Sequence, residues 1–192
     1  MMKTFKISML CLAISTMAFA QGTKKQLQNL SGTYVSQQAE GWGRGTFGTR
    51  EFSFSDGHWT LRFVLALDPD MKNQVFEFRT HGTYQVLSKS KVTKAYEAVF
   101  YEDKKYVTLK TDNPELIQAF GLSECGLKPH VEKDISKDGC ALWPSVADCH
   151  EDHDLLALDD QGNLYFGVRP ADNNMCTADR RPTALLPPVT KN

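Results

Sequence analysis

Outside its N-terminus, the sequence has no apolar run near the roughly 18–20 residues that a membrane-spanning helix requires. It also lacks a Walker motif, a nucleophile elbow and a paired-carboxylate signature. With 22 basic and 23 acidic side chains, the net charge is −1, which provides no basic surface for nucleic acid or an anionic membrane. These absences argue against a membrane-spanning protein, a nucleic-acid-binding protein and a familiar enzyme class, and no cofactor is expected.

The first twenty residues have the three parts of a secretory signal peptide. Residues 1–6 are cationic, residues 7–19 are mostly apolar, and Ala-Phe-Ala at residues 18–20 supplies the cleavage pattern. Cys11 lacks the small preceding residue of a lipoprotein signal. Cleavage would remove 20 of 192 residues and two lysines, which leaves 172 residues with 20 basic and 23 acidic side chains and a net charge of −3. We therefore expect one domain at residues 21–192 that is secreted or periplasmic.

Cysteine is scarce, but the number that remains after the signal peptide is even. An even number in an exported chain favours two disulfides, for which three pairings are possible. A zinc site is the alternative, because His130, His150 and His153 lie close by in sequence. Their spacing matches no familiar zinc pattern, so no metal is expected. The four cysteines are Cys125, Cys140, Cys149 and Cys176.

Alternation of apolar and polar side chains dominates the first half of the chain and predicts strands. The clearest case is residues 58–67, where Trp59 and every second residue after it are large and apolar. Asp56-Gly57 is a strong hairpin signal, and Gly82 suggests a bulge or bend in a long strand. Six strands, each leading into the next, are predicted at residues 30–36, 49–55, 58–67, 74–87, 92–102 and 106–110.

The segments around these strands have other patterns. Residues 22–29 are polar and are expected to be loose. Three alternate glycines in residues 40–47 imitate a phosphate loop, but a strand follows instead of a helix, so a mobile loop at a barrel mouth is predicted. Asn113 and Pro114 are a good N-cap and first residue for a short helix that could close one barrel end. Irregular sequence with several turn signals follows at residues 125–148.

A second hairpin is predicted between residues 154–159 and 163–168. A ladder centred at residues 161–162 pairs residues whose numbers sum to about 323. Cys149 and Cys176 sum to 325, so they would lie within disulfide reach if the ladder extends that far. Elimination then joins Cys125 to Cys140. The proline-containing tail, residues 180–188, is expected to lie extended across a surface. Together these patterns predict an all-β protein, an antiparallel lipocalin-like β-barrel or half-barrel of about eight strands with one short helix.

Five motifs, in order along the chain, resemble the adenomatosis polyposis coli down-regulated family, whose animal members are extracellular and carry lipid-binding β-barrel domains. The motifs are Gly32-Thr-Tyr-Val-Ser-Gln-Gln-Ala-Glu40 with Gly45, Phe47 and Arg50; Gly82-Thr-Tyr84; Glu124-Cys-Gly126 with Asp138-Gly-Cys140; Leu164-Tyr-Phe-Gly-Val-Arg-Pro-Ala-Asp172; and Arg180-Arg-Pro-Thr183. The resemblance implies a lipid-binding barrel and also favours a Cys125–Cys140 bond. Ala39 replaces a family cysteine, Cys149 and Cys176 are additional, and the domain is not repeated. Because the signal peptide is of a bacterial kind, a role in Wnt signalling is not carried over.

Alternating large apolar residues and the resemblance lead to the first functional hypothesis, an exported protein that binds a lipid or other apolar ligand in a barrel cavity. Among Arg50, Arg62 and Arg79, only Arg50 shares the parity of Phe52 and Phe54, so Arg50 is the candidate partner for a fatty-acid carboxylate. The predicted ligand-binding residues are Arg50, Phe52, Phe54, Trp59, Leu61, Phe63, Leu65, Phe76, Phe78, Tyr84, Tyr96 and Phe100.

Two alternatives remain open at this stage. A barrel can also be packed solid by its own side chains, and the protein would then be an interaction or inhibitor module for an envelope or extracellular protein. Its contact surface would be residues 41–47 and 125–149, with Trp42 either exposed as a hot spot or folded back over the barrel mouth. The cluster of Asp152 and Asp154 with His150 and His153 could serve acid–base catalysis, but a solvated loop is the simpler interpretation, and no enzyme is expected.

Overall fold

A computed structural model describes residues 22–192, so the predicted signal peptide at residues 1–20 lies outside the described residues. The strands are β1 (Gly32–Ser36), β2 (Glu40–Gly43), β3 (Thr46–Ser55), β4 (His58–Ala66), β5 (Gln74–Lys89), β6 (Tyr96–Tyr101), β7 (Lys104–Leu109), β8 (Glu132–Asp134), β9 (Glu151–Leu158), β10 (Leu164–Phe166) and β11 (Val189–Lys191). Two short helices accompany them, α1 at 22–28 and α2 at Pro114–Ala119. Short 3₁₀ turns lie at Ser123–Cys125 and Ala178–Arg180.

Eight of the strands form a closed antiparallel barrel in the order β1-β3-β4-β5-β6-β9-β10-β11, and β11 returns to β1. The predicted all-β barrel is therefore confirmed. The extended C-terminal tail predicted at residues 180–188 is followed by a strand that was not predicted, in which Val189 pairs with both Leu164 and Ser36. Pro187 and Pro188 lie just before β11, so neither removes an N–H donor from the hydrogen bonds of that strand.

The predicted β3–β4 hairpin is confirmed, with Ser55 opposite His58. Asp56 and Gly57 adopt φ values of 50° and 76° in the turn between them. Two successive positive φ values are the geometry of a type I′ turn, which matches the right-handed twist of the flanking strands. The turn also fixes which side chains of β4 face inward.

Gly82 lies where the long strand β5 changes partners. Residues 76–81 pair with β7 and residues 84–89 pair with β6, so β6 and β7 lie end to end along one edge of β5. A Cβ at Gly82 would lie 2.0 Å from the carbonyl oxygen of Tyr101, so only glycine fits at this position without a clash. β6 and β7 follow one another along the chain but have different neighbours: β6 also pairs with β9 and continues around the barrel, whereas β7 also pairs with β8 and leaves it.

The strands outside the barrel, β2, β7 and β8, extend one side of its wall. β2 pairs with β3, and β8 pairs with β7, so the wall formed by β3, β4 and β5 continues past the barrel. Residues 110–148 fold over that continuation. The apolar residues consequently form two main groups, a barrel core and a second core beneath residues 110–148.

Each helix differs from the sequence-based expectation, α1 because it forms at all and α2 in what it contacts. Residues 22–28 were expected to be loose, but they are helical, and Leu27 is completely buried in the barrel core. Tyr84 holds this segment, because its hydroxyl donates to the Leu27 carbonyl and accepts from the Leu30 N–H. The N-cap of α2 is as predicted: Asn113 accepts from the Glu115 N–H. However, α2 packs on the second core rather than closing the barrel.

Both predicted disulfides are present, Cys125–Cys140 and Cys149–Cys176. The second pairing was predicted from an extended β9–β10 ladder, but β10 ends at Phe166. The chain instead leaves the sheet and returns, and the His153 N–H donates to the Met175 carbonyl beside Cys176. Two disulfides are typical of an oxidising environment outside the cytoplasm.

Within residues 22–192 there is no helix with the length and apolar character needed to cross a membrane.

Candidate functional site: the inner face of the barrel wall

The predicted ligand-binding residues share the inner face of the barrel wall, as their alternation indicates. They do not line one space, however. Leu61 contacts both cores and connects the two groups. The barrel core contains Phe52, Phe54, Trp59, Tyr84, Tyr96 and Phe100, and the second core contains Phe63, Leu65, Phe76 and Phe78.

Aromatic side chains of the barrel core pack directly against one another. Phe52 stacks on Phe166 with 3.9 Å between ring centroids. Trp59 meets Phe100 edge to face at 4.8 Å, and its indole N–H donates to the Tyr101 carbonyl. Such distances are those of rings in direct contact, and Phe52, Trp59 and Phe100 are all 5% exposed or less. The side chains predicted to touch a lipid therefore touch one another.

The second core is covered by the disulfide-bonded segment and by Trp42. Trp143 stacks on Phe78 at 4.9 Å, and Trp42 packs on Phe63 at 4.8 Å. The indole of Trp42 fits because its neighbour Gly48 has no side chain: a Cβ there would lie 2.6 Å from Trp42 Nε1. Trp42 is therefore folded back, but onto the second core and not over the barrel mouth.

Arg50 lies inside the barrel wall, as its parity predicted, whereas the side chains of Arg62 and Arg79 are each 46% exposed. Its guanidinium already has a carboxylate partner, because Nε and Nη2 donate to Glu40 at 3.0 and 2.8 Å. Nη2 also donates to the Pro187 carbonyl at 2.7 Å. Nη1 is buried and has no hydrogen-bond partner among the described residues. Arg50 thus joins β2, β3 and the chain before β11, with one donor left over.

A group of buried charges went unrecognised in the sequence. We call it the charged cluster, and it consists of Glu102, Lys105, Asp152, Asp154 and Arg169. Lys105 is 2% exposed and pairs with Glu102 at 2.8 Å. Its ammonium also donates to the carbonyls of Pro144 and Cys149, at 3.1 and 2.9 Å. The cluster therefore fastens the disulfide-bonded segment to the barrel.

The two aspartates of this cluster lie on the inner face of β9. Asp152 is opposite Phe100 and Asp154 is opposite Ala98, and both of these β6 residues belong to the barrel core. Arg169 meets Asp152 in a paired contact at 2.7 and 3.2 Å. The sequence signal was available, because stepping back by twos from the apolar Leu156 reaches Asp154 and then Asp152.

Burial shapes the proton affinity of the cluster. Burial and the neighbouring Asp152 raise the pKa of Asp154 to about 7. The same two causes raise the pKa of Glu102, although its contact with Lys105 opposes them. Asp154 Oδ1 accepts hydrogen bonds from the N–H groups of Leu155 and Gly167, at 2.6 and 2.9 Å.

The two histidines grouped with these aspartates in the sequence contact other acids. His153 Nε2 lies 3.0 Å from Glu151 on the outer face of β9, and Arg181 Nη2 contacts His153 Nδ1 at 3.3 Å. His150 lies 3.9 Å from Asp103 in an exposed position. His153 thus lies on the opposite face of β9 from the two aspartates, and His150 lies before the strand. Among residues 22–192, no group of three or more His, Cys, Asp or Glu side chains is arranged to hold a metal.

Two open clefts lie on the surface. One, of about 680 Å³, lies between residues 90–93 and residues 178–185. The other, of about 520 Å³, lies within the disulfide-bonded segment beside Cys125, Cys140 and Trp143. Neither cleft is lined by a predicted ligand-binding residue. Comparison of the chain with models of known protein families and with characterised proteins finds no match to either.

Proposed function

We propose that the protein is an exported interaction or inhibitor module, secreted or periplasmic, in which a filled β-barrel supports a protein-binding surface. The observation that supports this proposal is the barrel core, where Phe52, Trp59 and Phe100 contact other aromatic rings directly. A packed interior gives a rigid scaffold, and loops on rigid scaffolds are common binding elements.

The proposed contact surface consists of residues 41–47 and 121–148. Trp42 from the first segment packs against the second core, which the second segment covers. The two segments are therefore neighbours. Val131 and Leu142, in the second segment, are 53% and 52% exposed. Large exposed apolar side chains on a disulfide-braced loop are suitable anchors for a protein partner.

The test is capture of partners from the native cell envelope with three versions of the tagged protein. Wild type and Val168→Glu, a control at an apolar residue that is 43% exposed outside the contact surface, should recover the same specific proteins. The double variant Val131→Glu/Leu142→Glu should recover them at least about tenfold less, because charge in the centre of an interface is strongly unfavourable. Equal recovery by all three versions would count against the proposal.

Binding of a lipid or other apolar molecule is the second candidate. It is favoured by two buried groups on the inner face, Arg50 Nη1 and Thr80 Oγ1, which have no hydrogen-bond partner among the described residues. The family resemblance implies the same function. Native mass spectrometry of the purified protein distinguishes the two functions, because a co-purifying lipid would support this candidate. Absence of any lipid, with no change in melting temperature across a panel of fatty acids, would contradict it.

A further inference from the structure

The charged cluster contains more acids than bases. Glu102 pairs with Lys105 at 2.8 Å, and Asp152 pairs with Arg169 at 2.7 Å. Asp154, which is 5% exposed, is left without a cation of its own. An ionised carboxylate in such a place is unfavourable unless it is paired, even with two N–H donors, so the geometry favours a proton on Asp154.

Charged groups approach Asp154 from every element around it. Asp152 is its neighbour on the inner face of β9, and Glu102 and Lys105 come from the end of β6 and the start of β7. Arg169 comes from the chain after β10. On the outer face, Arg181 donates to the main-chain carbonyl of Asp154, and His153 and Glu151 lie beyond it. The inner groups sum to one excess negative charge when all of them are ionised.

Asp154 is also an attachment point for the chain that precedes β11. We call residues 167–186 the closing segment. Its first residue, Gly167, donates its N–H to Asp154 Oδ1 at 2.9 Å, and a Cβ at Gly167 would lie 2.5 Å from that oxygen. Arg181, later in the segment, donates to the main-chain carbonyls of Asp154 and Ala98 at 3.1 and 3.0 Å. Two points of the closing segment thus rest on one residue of β9.

We propose that Asp154 is a proton switch that holds the closing segment on the barrel while it is protonated and loosens this segment when the proton is lost. Loss of the proton leaves a buried negative charge beside Asp152. Water can reach and solvate that charge only if the closing segment lifts from β9. The response is therefore local, because the Cys149–Cys176 bond still tethers the closing segment to the chain before β9.

The direction of the pH dependence follows from the raised pKa of Asp154, about 7, against an ordinary aspartate value of about 3.9. Between these two values the folded protein holds a proton that the unfolded chain has released. Raising the pH through this range therefore lowers the stability that Asp154 contributes, and above about pH 7 no further change from this group is expected.

Hydrogen exchange with peptide resolution tests the proposal on the full secreted chain. After correction for intrinsic rates, protection of the closing segment should fall at least about tenfold between about pH 5.5 and 8.5 in wild type. In Asp154→Asn, which keeps the acceptor oxygen but cannot ionise, protection should stay constant. Asp160→Asn is the matched control, because Asp160 is exposed in the turn after β9, and it should behave like wild type.

Carbon-13 NMR of the aspartate carboxyls in the wild-type protein provides a reading that does not depend on folding of the variant. One buried aspartate should titrate near neutral pH. The proposal is overturned if every aspartate is ionised above about pH 5, or if Asp154→Asn shows the same loss of protection as wild type.

Discussion

The barrel core and the second core are both built on β4 and β5, yet they are closed by different means. Around the barrel core the wall continues through β6, β9, β10, β11 and β1 until hydrogen bonds return to β3. Over the second core the cover is the largely irregular segment 110–148, held by the Cys125–Cys140 bond and by α2. One inner face of a sheet thus serves two cores of similar aromatic content.

Because they are closed differently, the two cores should differ in how cooperatively they unfold. A closed barrel has no free edge, so each of its strands is held on both sides, and its core should open only when the whole protein unfolds. The cover of the second core has few regular hydrogen bonds, and a covalent bond limits how far it can move. We therefore expect the second core to open locally while the barrel stays closed.

The largest effect is expected for removal of a ring from the barrel core. Phe100 is 2% exposed and contacts Trp59, Tyr84 and Phe166, so Phe100→Ala should lower the free energy of unfolding by about 3–5 kcal/mol. Denaturant unfolding followed by circular dichroism measures this change. Phe78→Ala is the matched variant in the second core. It should reduce hydrogen-exchange protection mainly in residues 110–148, and an equal loss in β1 and β11 would show that the two cores are not separable.

The next effect is loss of the bond that holds the cover. The double variant Cys125→Ser/Cys140→Ser releases a loop closed between residues 15 apart, and we expect a loss of about 3 kcal/mol. Exposure of Trp143 and Phe78 should follow, measurable as increased binding of an apolar dye and as loss of protection in residues 110–148. Barrel strands should retain their protection. A uniform loss across both cores would contradict the expected local opening.

Much of the barrel could be predicted because its signals are local. Alternation assigned Phe52, Phe54 and Arg50 to the inner face, and Asp56-Gly57 fixed the hairpin that orients them. What covers that face is not local information, since a ladder partner, a loop and a ligand all require the same apolar alternation. This is why the twelve predicted ligand-binding residues were grouped together, whereas the structure divides the apolar ones between two cores.

The remaining differences have equally specific causes. β11 has only three residues and follows two prolines, so it is too short for a periodic pattern to reveal. Its pairing also depends on where the chain closes the barrel, which no local pattern specifies. Asp152 and Asp154 were grouped with His150 and His153 by closeness in sequence, although His153 lies on the opposite face of β9 and His150 lies before that strand. The Cys149–Cys176 bond was predicted correctly from a ladder that ends at Phe166, before it reaches either cysteine.

The smallest effect concerns the helix in the cover. Asn113 Oδ1 accepts the N–H of Glu115 at 2.9 Å, so Asn113→Ala should destabilise α2 by about 1 kcal/mol. Asp112→Ala is the control, because Asp112 is the exposed neighbour just before the cap and should change little. Hydrogen exchange at residues 114–122 measures both variants. If Asn113→Ala opens the whole of residues 110–148 as far as loss of the Cys125–Cys140 bond does, the cover is one cooperative unit nucleated by α2. If only α2 frays, the disulfide carries the closure of the second core.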